Sequence, residues 1–395
     1  MTGDERRPRL VLVHDRAAAT EESVAFVELV RALVAAGGAN VEVLLHAGGP
    51  LLDELRQIAP TQVVAELETR SSAALTERLC FALRLRRAGY RRRSRRLGLD
   101  EWGPGDAVYL HTILAVQTLR YLPAGAPVVA CRLAEDVYPL RHPLRSADLA
   151  LLLERVDRFL PVTSAGEDAL VGEHHLDPAR VHRVPELFVP RDDRLPDRAP
   201  ERERLRATLG IEPGTSVIGS FGAYEADAPD LGVLLWSMLS RRLPEHRTVE
   251  MLWWYQETGA GFWMTHDLVA TGLADHTHPI SVDEEIGPYL ELCDVLVLLT
   301  RESDHPFAYL ERAAQGVPVL CFDVNDLADL VRLGDPRHVA PYLDLAALAD
   351  ELSRLIHDGD LAEDQRAMRE AVAQVHGPEV YGRRLVEIVR AGDGR

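Results

Sequence analysis

Residues Asp294–Phe322, DVLVLLTRESDHPFAYLERAAQGVPVLCF, decide the fold class of this chain. Apolar runs at 294–299 and 317–322 predict two strands, and the segment 307–315 between them predicts a helix. A strand, a helix and a second strand in this order form a βαβ unit, in which the two strands are parallel. The stretch therefore indicates an α/β protein.

The same alternation continues along the chain. We expect further strands at 10–13, 41–45, 107–110, 127–131, 216–221 and 249–254, and further helices at 21–36, 51–58, 230–240 and 287–292. A polar run rich in proline and arginine, 189–200, interrupts the pattern and predicts a linker. The sequence thus predicts two Rossmann-like domains, 1–190 and 201–377, and a C-terminal helix within 378–395 that packs back on the first domain.

Composition excludes several classes of protein. The chain has 395 residues, of which 47% are hydrophobic and 27% are charged, which is enough for two ordinary domains. A net charge of −18 argues against nucleic acid as a partner. The apolar runs are far shorter than the ~20 residues of a membrane span, and the N-terminus lacks the apolar core of a signal peptide. We therefore expect a cytoplasmic protein.

The cysteines and histidines do not predict a metal site. The four cysteines are scattered singly through apolar surroundings, without a C-x-x-C pair, so buried free thiols are expected. His276 and His278 are separated by one residue, and the sequence places no acidic residue beside them as a further ligand. We expect neither a disulfide framework nor a bound metal.

Arginine is concentrated in one segment. All 44 basic residues are arginine, and eight of them lie between positions 84 and 96. The absence of lysine fits a GC-rich bacterial genome and excludes lysine-based chemistry. An arginine-dense helix suits an anionic acceptor, an acidic partner or the anionic face of a membrane, with Arg91, Arg92 and Arg93 as candidate contacts. A solvated surface without a ligand is the alternative.

Residues 293–323 resemble the donor-site motif of the retaining GT-B glycosyltransferases of family 4. In that family a strand ends in Ser-Arg-Glu, a turn with proline and phenylalanine follows, and a helix that opens with a glutamate leads to a Gly-x-Pro-Val strand. The resemblance continues through 46–51, 106–112, 126–129, 156–164 and 266–275. It implies a GT-B fold, in which two Rossmann-like domains face each other across a cleft, with the acceptor on the N-terminal side and a nucleotide-sugar donor on the C-terminal domain.

The resemblance also assigns candidate roles to residues. Glu311 would accept hydrogen bonds from two ribose hydroxyls of the donor, because a carboxylate only accepts; an acid that stabilises the first turn of its helix is the alternative. The family's acid for the donor sugar falls on Ser303 and its neighbours, and backbone amides of the following turn would face the sugar or the phosphate. The remaining donor-binding candidates are Arg301, Glu302, Ser303, Asp304, Pro306, Phe307, Ala308 and Gly222.

Several family features are missing. The segment 222–230 lacks the arginine and lysine that neutralise the donor diphosphate, which leaves Arg301 as a substitute. The turn at 15–22 lacks the family's glycines, and the position of the family histidine is Leu133. His111, expected at the cleft rim, and Glu135 are the candidate catalytic residues in its place. A structural role is the alternative for a histidine at a strand end.

The resemblance implies an enzyme that moves a sugar from a nucleoside-diphosphate sugar to a hydroxyl-type acceptor, a small molecule or a glycan, with retention. Natural-product or cell-surface glycan assembly is the expected setting. Amides and arginine would hold the donor phosphates, so no cofactor is expected. Because family residues are missing, the alternative is an inactive glycosyltransferase-like protein that acts as a partner-binding or regulatory subunit. Peripheral contact with a membrane would use the segment 84–96.

Overall fold

The computed structural model of the protein describes most of the chain. The described residues are 6–67, 80, 82–83, 85–123, 127–133, 145–189, 199–221, 229–243, 249–255, 266–281, 286–299, 307–324, 326–358 and 361–391. The chain divides into two compact units: unit 1 comprises Met1–Val189 and His376–Arg395, and unit 2 comprises Pro190–Val375. The predicted linker at 189–200 falls mostly outside the described residues.

Unit 1 is built on a parallel sheet that has six strands within the described residues. The strands are β1 (Arg9–Arg16), β2 (Asn40–Ala47), β3 (Thr61–Val63), β4 (Ala107–Leu110), β5 (Val128–Leu133) and β6 (Arg158–Pro161). Their order across the sheet is β3-β2-β1-β4-β5-β6, and every neighbouring pair is parallel. This is the strand order of a Rossmann fold.

Unit 2 repeats this arrangement. Its described strands are β7 (Ser216–Phe221), β8 (Val249–Tyr255), β9 (Thr277–Ser281), β10 (Val295–Leu298), β11 (Val319–Phe322) and β12 (Val339–Ala340). The order is β12-β11-β10-β7-β8-β9, which is the unit 1 order counted from β7. The two sheets confirm the α/β fold class predicted from the alternation of strands and helices.

Helices connect the strands. In unit 1 they are α1 (Glu21–Ala36), α2 (Leu52–Ile58), α3 (Val64–Leu67), α4 (Arg86–Arg96), α5 (Ser146–Arg155) and α6 (Ser164–Asp168), with a 3₁₀ helix at Ile113–Arg120. The helices from unit 2 onward are α7 (Ala199–Thr208), α8 (Pro229–Ser240), α9 (Ile286–Leu290), α10 (Phe307–Ala314), α11 (Asp326–Gly334), α12 (Leu345–Asp358), α13 (Ala362–His376) and α14 (Pro378–Arg390). Because α14 follows His376, it belongs to unit 1.

Local sequence sets the bounds of α1. The hydroxyl of Thr20 accepts a hydrogen bond from the Ser23 backbone N–H, which caps the helix start. Gly37 ends the helix in the left-handed conformation, with φ of 65°. Helix α14 packs on α1 at Gly382, where an added Cβ would lie 3.3 Å from the Leu33 side chain. The absence of a side chain at 382 therefore allows the two helices to approach closely.

An aspartate at the amino end of a strand fixes the neighbouring strand in three places. Asp106 precedes β4, and its carboxylate accepts a hydrogen bond from the Arg9 backbone N–H of β1 at 2.7 Å. Asp157 and Asp294 precede β6 and β10 and accept from backbone N–H groups of β5 and β7, each at 2.9 Å. These bonds satisfy strand-end donors that would otherwise lack a partner.

Each unit has its own hydrophobic core between sheet and helices. All four cysteines, Cys80, Cys131, Cys293 and Cys321, are buried free thiols, as the sequence predicts. Among the described helices, none combines the length and the apolar character that crossing a membrane requires.

Candidate functional site

A group of buried polar side chains lies where the parallel strands of unit 1 end. His14 belongs to the last part of β1, His111 directly follows β4, and Arg132 is the penultimate residue of β5. All three are at most 3% exposed. Ligands of open α/β sheets bind at the carboxyl ends of the strands. We call the group formed by His14, His111 and Arg132 the carboxyl edge.

Arg132 is the centre of the carboxyl edge. Its guanidinium forms a buried ion pair with Glu186, and its Nη1 donates to the backbone carbonyl of His111 at 3.2 Å. The carboxylate of Glu22, in the first turn of α1, lies 3.6 Å from the same Nη1. One buried cation therefore faces two acids, of which Glu186 is buried and Glu22 is about half exposed.

Burial and the charge of Arg132 keep the two histidines neutral. Burial, followed by the Arg132 guanidinium, lowers the pKa of His14 from 6.5 to about 4. The same two causes hold the pKa of His111 well below its usual range. Burial also raises the pKa of Glu186 to about 7, although the neighbouring guanidinium acts in the opposite direction. At neutral pH the edge thus holds two uncharged rings beside a fixed positive charge.

The hydrogen bonds of His111 assign its tautomer. Arg132 Nη1 lies 3.4 Å from His111 Nε2, and a guanidinium can only donate, so Nε2 is the acceptor. The proton therefore sits on Nδ1, which donates to the hydroxyl of Tyr109 at 3.1 Å. The Tyr109 hydroxyl in turn lies 2.9 Å from that of Tyr381 on α14. His111 is consequently held on both sides and does not present a free nitrogen.

His14, His111 and Glu22 are residue types that bind metals, but the positive charge of Arg132 beside them opposes a bound cation. One ligand atom each from His14, Glu22 and His111 lies within 4.8 Å of the others, a spacing that three ligands of one ion would have. Arg132 Nη1, however, is 3.4 Å from His111 Nε2 and 3.6 Å from Glu22 Oε1. A fixed guanidinium at these distances repels a cation, so the residues do not fit a metal.

A second cluster of possible metal ligands lies in unit 2. It comprises Asp335, His338 and Asp364. Arg337 already pairs with Asp335, and Arg354 bonds Asp364 at 3.1 Å. Because arginines neutralise these carboxylates, the cluster is an ion-pair network between the end of α11, α12 and α13.

Most of the predicted donor-binding residues fall outside the described residues. These are Gly222, Arg301, Glu302, Ser303, Asp304 and Pro306, and the catalytic candidate Glu135 is also outside. The backbone of Phe307 and Ala308 opens α10, and Glu311 lies in the same helix. The donor role of Glu311 and the alternative of an acid that stabilises the first turn of its helix both stay predictions.

His111 occupies the predicted strand end but not the predicted exposure. The sequence places it at a cleft rim, whereas its ring is fully buried under the contacts described above. Its catalytic role stays a prediction. Arg132 and Glu186 were not among the candidates, although a charged residue inside the apolar strand β5 is a signal for a buried partner. That partner was not identifiable, because Glu186 is 54 residues away.

The arginines of the cluster differ in whether their side chains contact other residues of unit 1. Arg93 donates to the Tyr121 hydroxyl at 3.0 Å and lies over its ring, and Arg92 contacts Cys80 Sγ at 2.7 Å. Arg91 is exposed on α4. Of the three candidate contacts, Arg93 therefore also has a packing role, while binding of an acceptor, a partner or a membrane by the cluster stays a prediction.

The interpretation of His276 and His278 as lacking an acidic neighbour is wrong. Glu250 of β8 contacts His276 Nδ1 at 3.1 Å and His278 Nε2 at 2.9 Å. The cause is strand pairing: Met251 is opposite Thr277 in the parallel β8–β9 register, which places Glu250 beside both rings. The carboxylate binds the two histidines directly through hydrogen bonds.

Comparisons with known proteins bear on unit 2 and on the whole fold. Residues 259–358 match the family described as Glycosyl transferases group 1. A D-inositol 3-phosphate glycosyltransferase of Rhodococcus opacus is 24% identical over 246 residues, which are 60% of this chain and 51% of that protein. The protein of the same description from Nocardia farcinica is 26% identical over 268 residues, 66% of this chain and 55% of that one. The chain thus spans about half the length of these curated relatives.

Solved structures resemble the chain over nearly its full length. HepE of Anabaena, in a crystal structure with UDP and glucose, aligns with a TM-score of 0.54 and 14% identity over 97% of this chain and 100% of that one. A glycosyltransferase of Rickettsia africae aligns with a TM-score of 0.52 and 12% identity over 98% of each chain. The chain therefore has the GT-B fold of these solved structures, and its residues 259–358 are similar to the glycosyl transferases group 1 family.

Proposed function

We propose that the chain is a glycosyltransferase that moves a sugar from a nucleoside-diphosphate sugar to a hydroxyl-type acceptor with retention. The match of 259–358 to Glycosyl transferases group 1 carries this proposal, because the matched segment contains β10, α10 and Glu311. The relatives named for transfer to an inositol phosphate, and the fold of a protein crystallised with UDP and glucose, support it. They favour transfer over the alternative of a partner-binding subunit.

On the donor side, α10 supplies the chemistry. The carboxylate of Glu311 accepts hydrogen bonds from the ribose hydroxyls, and the amides at the start of α10 stabilise negative charge on the diphosphate. As the bond between the anomeric carbon and the diphosphate breaks, negative charge develops on the leaving group. Arg301 is the residue that we propose to stabilise this charge, in place of the family cations that 222–230 lacks.

On the acceptor side, the carboxyl edge of unit 1 is the proposed binding surface. The half-exposed Glu22 carboxylate suits a hydroxyl group, because it accepts hydrogen bonds. Arg91 and its neighbours on α4 are proposed for an anionic part of the acceptor. We place the reaction in natural-product or cell-surface glycan assembly, with no resident cofactor or metal.

Calorimetry with a panel of nucleoside-diphosphate sugars tests the proposal. We expect micromolar binding of one donor and a ~10- to 100-fold loss in Glu311→Gln, the cost of a charge-assisted hydrogen bond. Glu363→Gln is the matched control, because Glu363 is an acid of the α13 first turn in the same unit. Unchanged donor affinity in Glu311→Gln would remove Glu311 from the donor site, and no binding across the panel would refute transfer.

A further inference from the structure

Arg132 has two acidic partners, one at each terminal nitrogen of its guanidinium. The carboxylate of Glu186 is 6% exposed and forms the buried ion pair. The carboxylate of Glu22 is 47% exposed and lies 3.6 Å from Arg132 Nη1. A buried guanidinium requires one counter-charge, and here two are within reach. The local sum of one positive and two negative charges is −1 when both acids are ionised.

Glu186 lies close in sequence to one of the two points at which the chain passes between the units, and it is hydrogen-bonded to the other. It lies three residues before Val189, where the first part of unit 1 ends. Its backbone carbonyl accepts a hydrogen bond from Nδ1 of His376, the residue at which the chain re-enters unit 1, at 2.7 Å. The Phe188 backbone N–H donates to the carbonyl of His376 at 3.0 Å. We call these two segments, 186–189 and 376–378, the chain crossings.

Glu22 lies near Arg132 Nη1. It belongs to the first turn of α1, where the Ser23 hydroxyl lies 3.2 Å from His14 Nε2. Arg132 also holds His111 through the carbonyl and through Nε2. The guanidinium therefore contacts Glu186 of the chain crossings through Nη2, and it lies near Glu22 and His111 through Nη1.

The electrostatics make exchange between the two acids possible near neutral pH. Burial raises the pKa of Glu186 to about 7, and its Oε2 has no hydrogen-bond partner within the described residues. The charged and titratable groups around it are Arg132 of β5, Glu22 of α1, Tyr109 of β4, Tyr381 of α14 and His376 of α13. When Glu186 takes up a proton, Glu22 remains as the counter-charge of Arg132.

We propose that Arg132 is a positioning residue that exchanges Glu186 for Glu22 as its acidic partner, and thereby links the chain crossings to the position of His111 and of the first turn of α1. The link regulates the site given under Proposed function, and its relevance to substrate rests on that function. When the chain crossings move and Glu186 leaves the guanidinium, Arg132 shifts toward Glu22. The ring of His111 follows, because Arg132 holds its Nε2 and its carbonyl.

Thermal unfolding of charge-neutralised variants tests the exchange. We expect Glu22→Gln and Glu186→Gln each to lower the melting temperature by a few degrees, because the other acid still balances Arg132. The double variant should lose clearly more than the sum of the two, and adding Arg132→Met should raise its melting temperature again. Glu28→Gln, the same change on the same helix but paired with Arg31, is the control. Additive losses, or no recovery with Arg132→Met, would overturn the proposal.

The ring signals of His111 in NMR provide the second readout. In the unmodified protein we expect them to shift between pH 6 and pH 8 as Glu186 loses its proton. The shift should vanish in Glu186→Gln and persist in Glu22→Gln, whereas a merely structural ion pair would give no pH-dependent shift in any of the three. Neither readout needs a nucleotide sugar, so a failure of the proposed function would leave this test intact.

Discussion

Acid should destabilise unit 1 through the ring of His14. The pKa of this histidine is 6.5 in an unfolded chain and about 4 in the folded one, because burial and then Arg132 disfavour the imidazolium. The unfolded chain therefore binds a proton on His14 below pH 6.5, whereas the folded chain binds that proton only below about pH 4. The stabilising contribution is present above pH 6.5 and is lost as the pH falls.

The size of this loss follows from the difference in pKa. At about 1.4 kcal/mol per pKa unit, the full difference corresponds to ~3 kcal/mol. At pH 5, where the folded ring is still mostly neutral, the loss is ~2 kcal/mol. His14→Gln removes the titrating group, so the variant should lose ~2 kcal/mol less than the unmodified chain between pH 7.5 and pH 5.

Hydrogen exchange of the β1 amides at several urea concentrations measures the opening free energy of unit 1 at each pH. The difference in pH dependence between the two proteins is the readout, because the substitution itself changes stability at every pH. His266→Gln is the control, since the His266 side chain is 61% exposed and folding removes little water from it. Equal pH dependence in His14→Gln and the unmodified chain would refute the assignment of a buried, neutral His14.

Two packing predictions can be checked by urea unfolding. A Cβ at Gly232 would lie 1.3 Å from the Trp253 ring, so Gly232→Ala should push α8 off β8 and cost ~1–3 kcal/mol; wild-type stability would contradict this contact. Arg93→Ala loses the hydrogen bond and ring contact with Tyr121 and should cost ~1–2 kcal/mol. Arg91→Ala should stay within about 0.5 kcal/mol because its side chain is exposed, and equal losses in both would contradict the division of the cluster.

Elements with strong local signals could be predicted almost to the residue. Helix α1 begins and ends as predicted because a cap at Thr20 and a glycine at 37 act within one turn of the chain. Strands β4 and β7 also have the predicted bounds, and β4 is a short apolar run of buried residues. Four short strands were missed because periodicity needs a longer window: β3, β6, β9 and β12, of three, four, five and two residues.

Residues of the candidate site could be predicted only where a local sequence motif marks them. The family motif marks Glu311, which lies in the helix predicted for 307–315. The ion pair of Arg132 joins residues 54 positions apart, and Glu250 meets His278 across 28 positions through the register of β8 and β9. Such contacts follow from tertiary packing, which no local pattern specifies.

The charge of the carboxyl edge depends on the acids and not on the cation. Burial lowers the pKa of Arg132, but the charge of Glu186 and of the other acidic groups nearby raises it more, so the pKa lies above its usual range and the guanidinium stays charged throughout the physiological pH range. One positive and two negative groups give −1 with both acids ionised and zero once Glu186 is protonated. A negatively charged acceptor group therefore meets less repulsion at lower pH, whereas a neutral hydroxyl compound is indifferent to the change. If the edge binds the acceptor, as we propose, the acid pair would discriminate acceptors by charge without the histidine that the family places at Leu133.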